Sequence, residues 1–268
     1  MTSAPTGTLD GWTVVPFTVG AITHDCYEKG SGPGVVLIPE IPGMTPEVLG
    51  LAEHLVESGF TVVVPSLFGT PGRAMSPAYV AGVVAKLCVA SEFRAFATGA
   101  ARPVSEYLRG VARALDARTP GKGVGVIGMC FTGGFALAAA VDDSVIAPVM
   151  SQPSVPFPLG RKRQADVGLS SEELTTVKAR TENDGLCVMG LRFSEDKAVS
   201  PLRFKALAEQ LGDAFEVIEL DSSKGNAGGF SSSAHSVLTH EMRDADGHPA
   251  REARTKVVAF LKKRLNPS

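Results

Sequence analysis

A cysteine set among small residues is the most chemically suggestive feature of the chain. In Gly125-Val-Ile-Gly128-Met-Cys130-Phe-Thr-Gly-Gly134 an apolar run passes into a glycine-rich helix start. A nucleophile on a sharp strand-to-helix turn needs small neighbours, because the tight backbone leaves no room for bulk two residues before it or two to three after it. Gly128, Thr132, Gly133 and Gly134 meet that requirement. The N-terminus of the following helix would favour a thiolate at Cys130. The competing reading is a turn that lets strand and helix pack closely, with Cys130 as a small hydrophobic filler.

A nucleophile needs a base, and the base needs a group to orient it. On open parallel sheets these lie on loops beyond strand ends, in the order nucleophile, acid, histidine. Phe193-Ser-Glu-Asp196-Lys197 offers Asp196, with Glu195 and Asp213 as rival carboxylates. Ser233-Ala-His235 offers His235, with His240 and His248 close behind it. His24 and His54 precede the cysteine and read as structural or surface residues. A further loop, Pro39-Glu40-Ile41-Pro42-Gly43, follows an apolar strand where such folds place one oxyanion donor. The donors would be the backbone N–H groups of Ile41 and Phe131. Glu40 is an odd neighbour for a hole that binds negative charge, unless it is plain surface.

Alternating strands and helices must carry these residues. Trp12 to Val19 and Ile22 to Glu28 read as an antiparallel lead-in, and Gly34 to Ile38 and Thr61 to Val64 as strands buried on both faces. Later strands are expected at Gly123 to Ile127, Ser144 to Val149, Gly185 to Gly190 and Phe215 to Leu220. Helices are expected at Pro46 to Glu57, 78–90, 102–118, Gly133 to Val141, 171–181, Pro201 to Leu211 and about 249–264. This order predicts an α/β class chain: a mostly parallel, doubly wound sheet with helices on both faces. At 268 residues we expect one domain over 1–268, with a pocket-shaping insert near 151–182.

Composition excludes several functions. With a net charge of −2 and dispersed charges, nothing marks a surface for nucleic acid or anionic membrane. No apolar run approaches a membrane span, and the N-terminus lacks a basic start and apolar stretch. Cys26, Cys88, Cys130 and Cys187 are widely spaced, which fits reduced thiols in a cytoplasmic protein and gives no zinc pattern. Gly121-Lys-Gly-Val-Gly125 precedes a strand, whereas a phosphate loop must follow one, so no cofactor is expected.

From about residue 20 onward the sequence resembles the dienelactone hydrolase family, carboxymethylenebutenolidase-like α/β-hydrolases. The resemblance is carried by Glu40-Ile-Pro-Gly43, Gly128-Met-Cys-Phe-Thr-Gly-Gly134, Ser194-Glu-Asp196 with Pro201, Ala234-His235, Pro65-Ser-Leu-Phe-Gly69 and Ser91-Glu-Phe93. It implies the α/β-hydrolase fold and a Cys130–His235–Asp196 triad that opens a small ester or lactone through a thioester. It also implies that Glu40 keeps the thiol quiescent until an anionic substrate arrives. Two departures stand out. Thr239 occupies the position of a substrate-binding arginine, and Arg94 only approximates a second one, with Arg73 a weaker candidate. The expected partner is a small-molecule ester or lactone, and the chain is expected to be a monomer or small homo-oligomer. A non-catalytic binding or sensor protein and an acyltransferase on the same fold are the alternatives.

Overall fold

The computed structural model describes residues 3–94, 97, 99–155 and 160–266. The strands are β1 (Thr13–Val19), β2 (Ile22–Gly30), β3 (Gly34–Ile38), β4 (Thr61–Pro65), β5 (Val124–Met129), β6 (Val145–Ser151), β7 (Val188–Phe193) and β8 (Phe215–Leu220). The helices are α1 (Pro46–Glu57), α2 (Pro77–Val89), α3 (Pro103–Asp116), α4 (Gly133–Ala139), α5 (Arg161–Gln164), α6 (Ser171–Asn183), α7 (Pro201–Leu211) and α8 (Pro249–Leu265). Helices α1, α2, α3, α7 and α8 each start on a proline, where a missing N–H costs nothing. Thr45, Ser76 and Ser200 cap three of them by accepting a first-turn N–H.

The strands form one sheet in the order β1-β2-β4-β3-β5-β6-β7-β8. β1 and β2 are antiparallel to each other, β2 is antiparallel to β4, and the pairings from β4 through β8 are parallel. β3 shows why helices must cover both faces. Val36 and Ile38 join a core with residues of α2, α3, α4, α6 and α7, while Val35 and Leu37 join a second core with α1 and α8. Alternate side chains point to opposite faces, so a strand apolar at every position is buried twice. This is the α/β-hydrolase architecture expected from the sequence.

One strand lies elsewhere than expected. The strand placed at 185–190 runs over Val188–Phe193. Helix α6 continues to Asn183, Gly185 turns at φ +65°, and the Leu186 N–H reaches back to the Arg180 carbonyl. Gly185 therefore serves the helix stop rather than the strand start. The shift brings Asp196 to within three residues of the strand end. The segment 151–182 contributes the short α5 and most of α6, and its residues 156–159 lie outside the described residues.

Candidate active site

β5 ends at Met129, and Cys130 follows with φ +54°, in the left-handed region that L-residues rarely adopt. A single 3₁₀ turn, Cys130–Thr132, leads into α4. Such a backbone stores about 1–3 kcal/mol, so surrounding contacts must enforce it. A side chain at Gly128 would overlap the Thr132 carbonyl, and a Cβ at Gly133 would lie 2.7 Å from Pro153 Cα. The Thr132 hydroxyl accepts from the Met129 N–H at 2.9 Å and lies 2.8–3.3 Å from the carbonyls of Met129, Ile38 and Pro39. Thr132 thus pins the turn to the end of β3. In the sequence it stands out only as a small residue.

Asp196 is buried beyond β7, with its side chain 4% exposed, and its Oδ2 lies 2.6 Å from His235 Nδ1. Burial alone would lower the His235 pKa. Hydrogen bonds to Asp196 and Cys130, and the charges of both, outweigh it and push the value up to about 11. A charged imidazolium at His235 is the state such surroundings favour. Cys130, His235 and Asp196 are therefore brought together. The rivals are not: Glu195 and Asp213 are exposed, and His240 lies 3.8 Å from Glu47. His248 caps α8, with its Nε2 3.1 Å from the Gly228 carbonyl.

Ile41 sits in a turn closed by the Gly43 N–H on the Glu40 carbonyl at 2.7 Å. Phe131 lies in the first turn of the helical segment, where N–H groups lack intrahelical acceptors. Both backbone groups thus lie on the loops expected to supply oxyanion donors. Glu40 is 6% exposed, and its carboxylate accepts from Ser236 Oγ at 2.8 Å, Gln152 Nε2 at 3.1 Å and Thr239 Oγ1. Its hydrogen bonds tie the Ile41 loop to the His235 loop. Thr239, at the position expected to carry an arginine, is one of its donors.

Two residues escaped sequence reading. Ser154 Oγ lies 3.3 Å from Cys130 Sγ, and its N–H donates to the Cys130 carbonyl at 2.9 Å. Arg203 of α7 is buried and donates to the carbonyls of Pro153, Ser154 and Val167 at 3.1–3.3 Å. Burial pushes its guanidinium down to about 10. Arg203 thereby holds the Ser154 loop against Cys130. No local motif marks either residue, because the contacts run from a side chain to distant backbone. Arg94 is exposed, at φ +43°, and donates to the Ala101 carbonyl at 3.5 Å.

The chain matches the model of the Dienelactone hydrolase family over residues 23–265. It is 31% identical over 132 residues to a carboxymethylenebutenolidase of Rhodococcus opacus, a match spanning 48% of this chain and 48% of that protein. Among solved structures it resembles a dienelactone hydrolase-like promiscuous phosphotriesterase from metagenomic libraries, with TM-score 0.61 and 16% identity over 95% of this chain and 98% of that one. The α/β-hydrolase GrgF of Penicillium sp. sh18 is similar in fold, with TM-score 0.61 and 14% identity over 95% and 99% of the two chains. At those identities the structural likenesses speak for the fold alone. The match over 23–265 goes further, and by it the chain belongs to the Dienelactone hydrolase family.

Proposed function

We propose that the protein cleaves a carboxylic ester or lactone through a thioester on Cys130. The single observation that carries this reading is the line from Asp196 through His235 toward Cys130: the carboxylate lies 2.6 Å from the imidazole, and Cys130 is among the groups that raise the His235 pKa. In this reading the Cys130 thiolate attacks the carbonyl carbon, and the Ile41 and Phe131 N–H groups receive the oxyanion. The tetrahedral centre collapses, the C–O bond breaks, and the His235 imidazolium protonates the departing alkoxide. His235, now neutral, takes a proton from water as the water oxygen attacks the thioester. The second collapse breaks the C–S bond, releases the acid and returns the thiolate–imidazolium pair. Asp196 keeps the imidazole oriented throughout.

Glu40 enters as a positioning residue. Its three side-chain donors hold the carboxylate between the oxyanion loop and the His235 loop, so both register on one buried group. This geometry supports a tie between the two loops in addition to the custody of the thiol that the family resemblance implies.

Hydrolysis of activated esters and unsaturated lactones by wild type and Cys130→Ala tests the proposal. Turnover should fall by about 10⁴-fold or more in the variant, since removing a nucleophile disables the whole unit. Turnover that survives in Cys130→Ala would sink the assignment. Oxygen from labelled water should appear in the acid; an unlabelled acid joined to another acceptor would identify an acyl transferase instead.

A further inference from the structure

Beyond the end of β4 lies a cavity of about 500 Å³, walled by the loop Leu67–Thr70, helix α2 and Phe93. Its walls pack against both loops assigned to the oxyanion hole, although neither loop itself lines it. A Cβ on Gly43 would lie 2.5 Å from the Phe68 carbonyl, so the cavity's loop packs directly on the Ile41 turn. On the other side the Phe93 ring packs edge-on against Phe131, with centroids 6.0 Å apart, and against Phe68 at 5.9 Å. Tyr79, Val83, Leu87 and Phe93 are buried and form its apolar and aromatic floor, while polar groups make up much of the remaining lining. The cationic lining residues, Arg73 and Lys86, are exposed; Arg73 lies over the Tyr79 ring at 4.3 Å. Glu92 is engaged by His24 at 3.4 Å.

A hydrolase of small lactones has no use for this space. Pockets of roughly 300–1,000 Å³ with apolar walls hold drug-sized ligands, and the volume far exceeds what an acetyl group fills. Helix α2 also carries Gly82 on the lining, where an added Cβ would meet nothing within 4 Å. A helix interior usually disfavours glycine by about 0.5–1 kcal/mol relative to alanine, so its presence here leaves the cavity open at some cost to the helix.

We propose that this cavity is a subsite for the non-reacting part of the substrate, and that it takes a bulky, uncharged apolar group such as a medium-length acyl chain or an aryl ring. The inference rests on the ester-hydrolase reading for the reaction and assigns that reaction a substrate class: hydrophobic esters or thioesters. The apolar group would lie between Phe68, Val83, Leu87 and Phe93, with the reacting carbonyl at the Ile41 and Phe131 N–H groups.

The experiment compares para-nitrophenyl acetate with the octanoate for wild type and Gly82→Phe, which adds a ring to the cavity lining at a position where a Cβ would meet nothing within 4 Å. Wild type should favour octanoate in kcat/KM, and the plug should cut the octanoate-to-acetate ratio by about tenfold or more, since each methylene in an apolar pocket carries a large share of discrimination. A ratio unchanged by the plug would overturn the subsite. Ala78→Leu, one helical turn earlier on the same lining, repeats the test if Gly82→Phe does not fold. Equilibrium binding of the uncharged fluorophore N-phenyl-naphthylamine is measured on the same proteins. Binding lost in the plugged variant supports the cavity even where wild type hydrolyses neither ester, a result that would count against the hydrolase reading alone. Binding equal in both proteins would overturn the subsite whatever the kinetics.

Discussion

Cys26 and Cys130 touch the same hydrophobic core, yet their surroundings prepare them for opposite fates. Cys26 lies in the middle of β2, 7% exposed, with its Sγ 3.4 Å from the Tyr107 hydroxyl. Burial pushes its thiol pKa up, although the tyrosine hydrogen bond opposes that. Nothing there would stabilise a thiolate enough to matter. Cys130 stands on a left-handed turn at the head of a helical segment, beside an imidazole that Asp196 holds. What separates filler from candidate nucleophile is the backbone beneath the sulfur and the histidine beside it.

The largest test of that contrast is Asp196→Asn. Loss of the buried carboxylate removes the partner that orients His235, and by analogy with serine triads turnover should drop by about 10³–10⁴-fold. Steady-state ester hydrolysis measures it, with Cys26→Ala expected to stay near wild type. A fall shared equally by both variants would erase the distinction.

The pH dependence of stability comes next. His235 is raised in the folded protein from 6.5 to about 11. A base with a raised folded pKa stabilises fully below its unfolded value and loses that contribution as pH rises through the folded one. The stability of wild type relative to His235→Asn should therefore shrink across the window from 6.5 toward about 11. Denaturant midpoints across that range read it directly, and a constant difference would show that no imidazolium is held beside Cys130.

Thr239→Val probes the tie through Glu40. Removing one of three donors to a buried carboxylate leaves it under-satisfied, at about 1–3 kcal/mol. Loosening the two loops should lower kcat by roughly tenfold with less effect on KM, and Thr239→Ser should restore most of it. Recovery by serine would separate a hydrogen-bonding role from simple packing.

The smallest effects have opposite signs at the two cysteines. Cys26→Ala opens space in a packed core and should destabilise by about 1–2 kcal/mol. Cys130→Gly relieves the left-handed strain and should be more stable than Cys130→Ala by about 1 kcal/mol, as glycine adopts positive φ freely. Thermal or denaturant melting of the variants measures both.

Much of the sheet was legible because its strands are short and buried on both faces. Gly34–Ile38 and Thr61–Pro65 are apolar or β-branched throughout, and proline with a preceding Thr or Ser marks the start of α1, α2 and α7. β7 was misplaced because Gly185-Leu-Cys-Val also reads as an apolar run, and nothing local reveals that Leu186 still serves the end of α6. Ser154 and Arg203 stayed hidden for a related reason: a carbonyl accepting from a distant guanidinium has no sequence signature.

The sequence by itself determined the turn at Cys130. Its demand for a small residue at Gly128 is backbone sterics within a few residues, since an added Cβ would meet the Thr132 carbonyl. Gly133 and Gly134, by contrast, are held small by Pro153 and Arg203 from elsewhere in the chain. Which histidine and which carboxylate complete the group was decided by the tertiary structure. The Asp196–His235 contact spans 39 residues and the Glu40–Thr239 contact spans 199, and the cavity at Gly82 belongs to several elements at once. Such contacts exist only after the sheet has set the distances between loop ends, and no local pattern encodes that spacing.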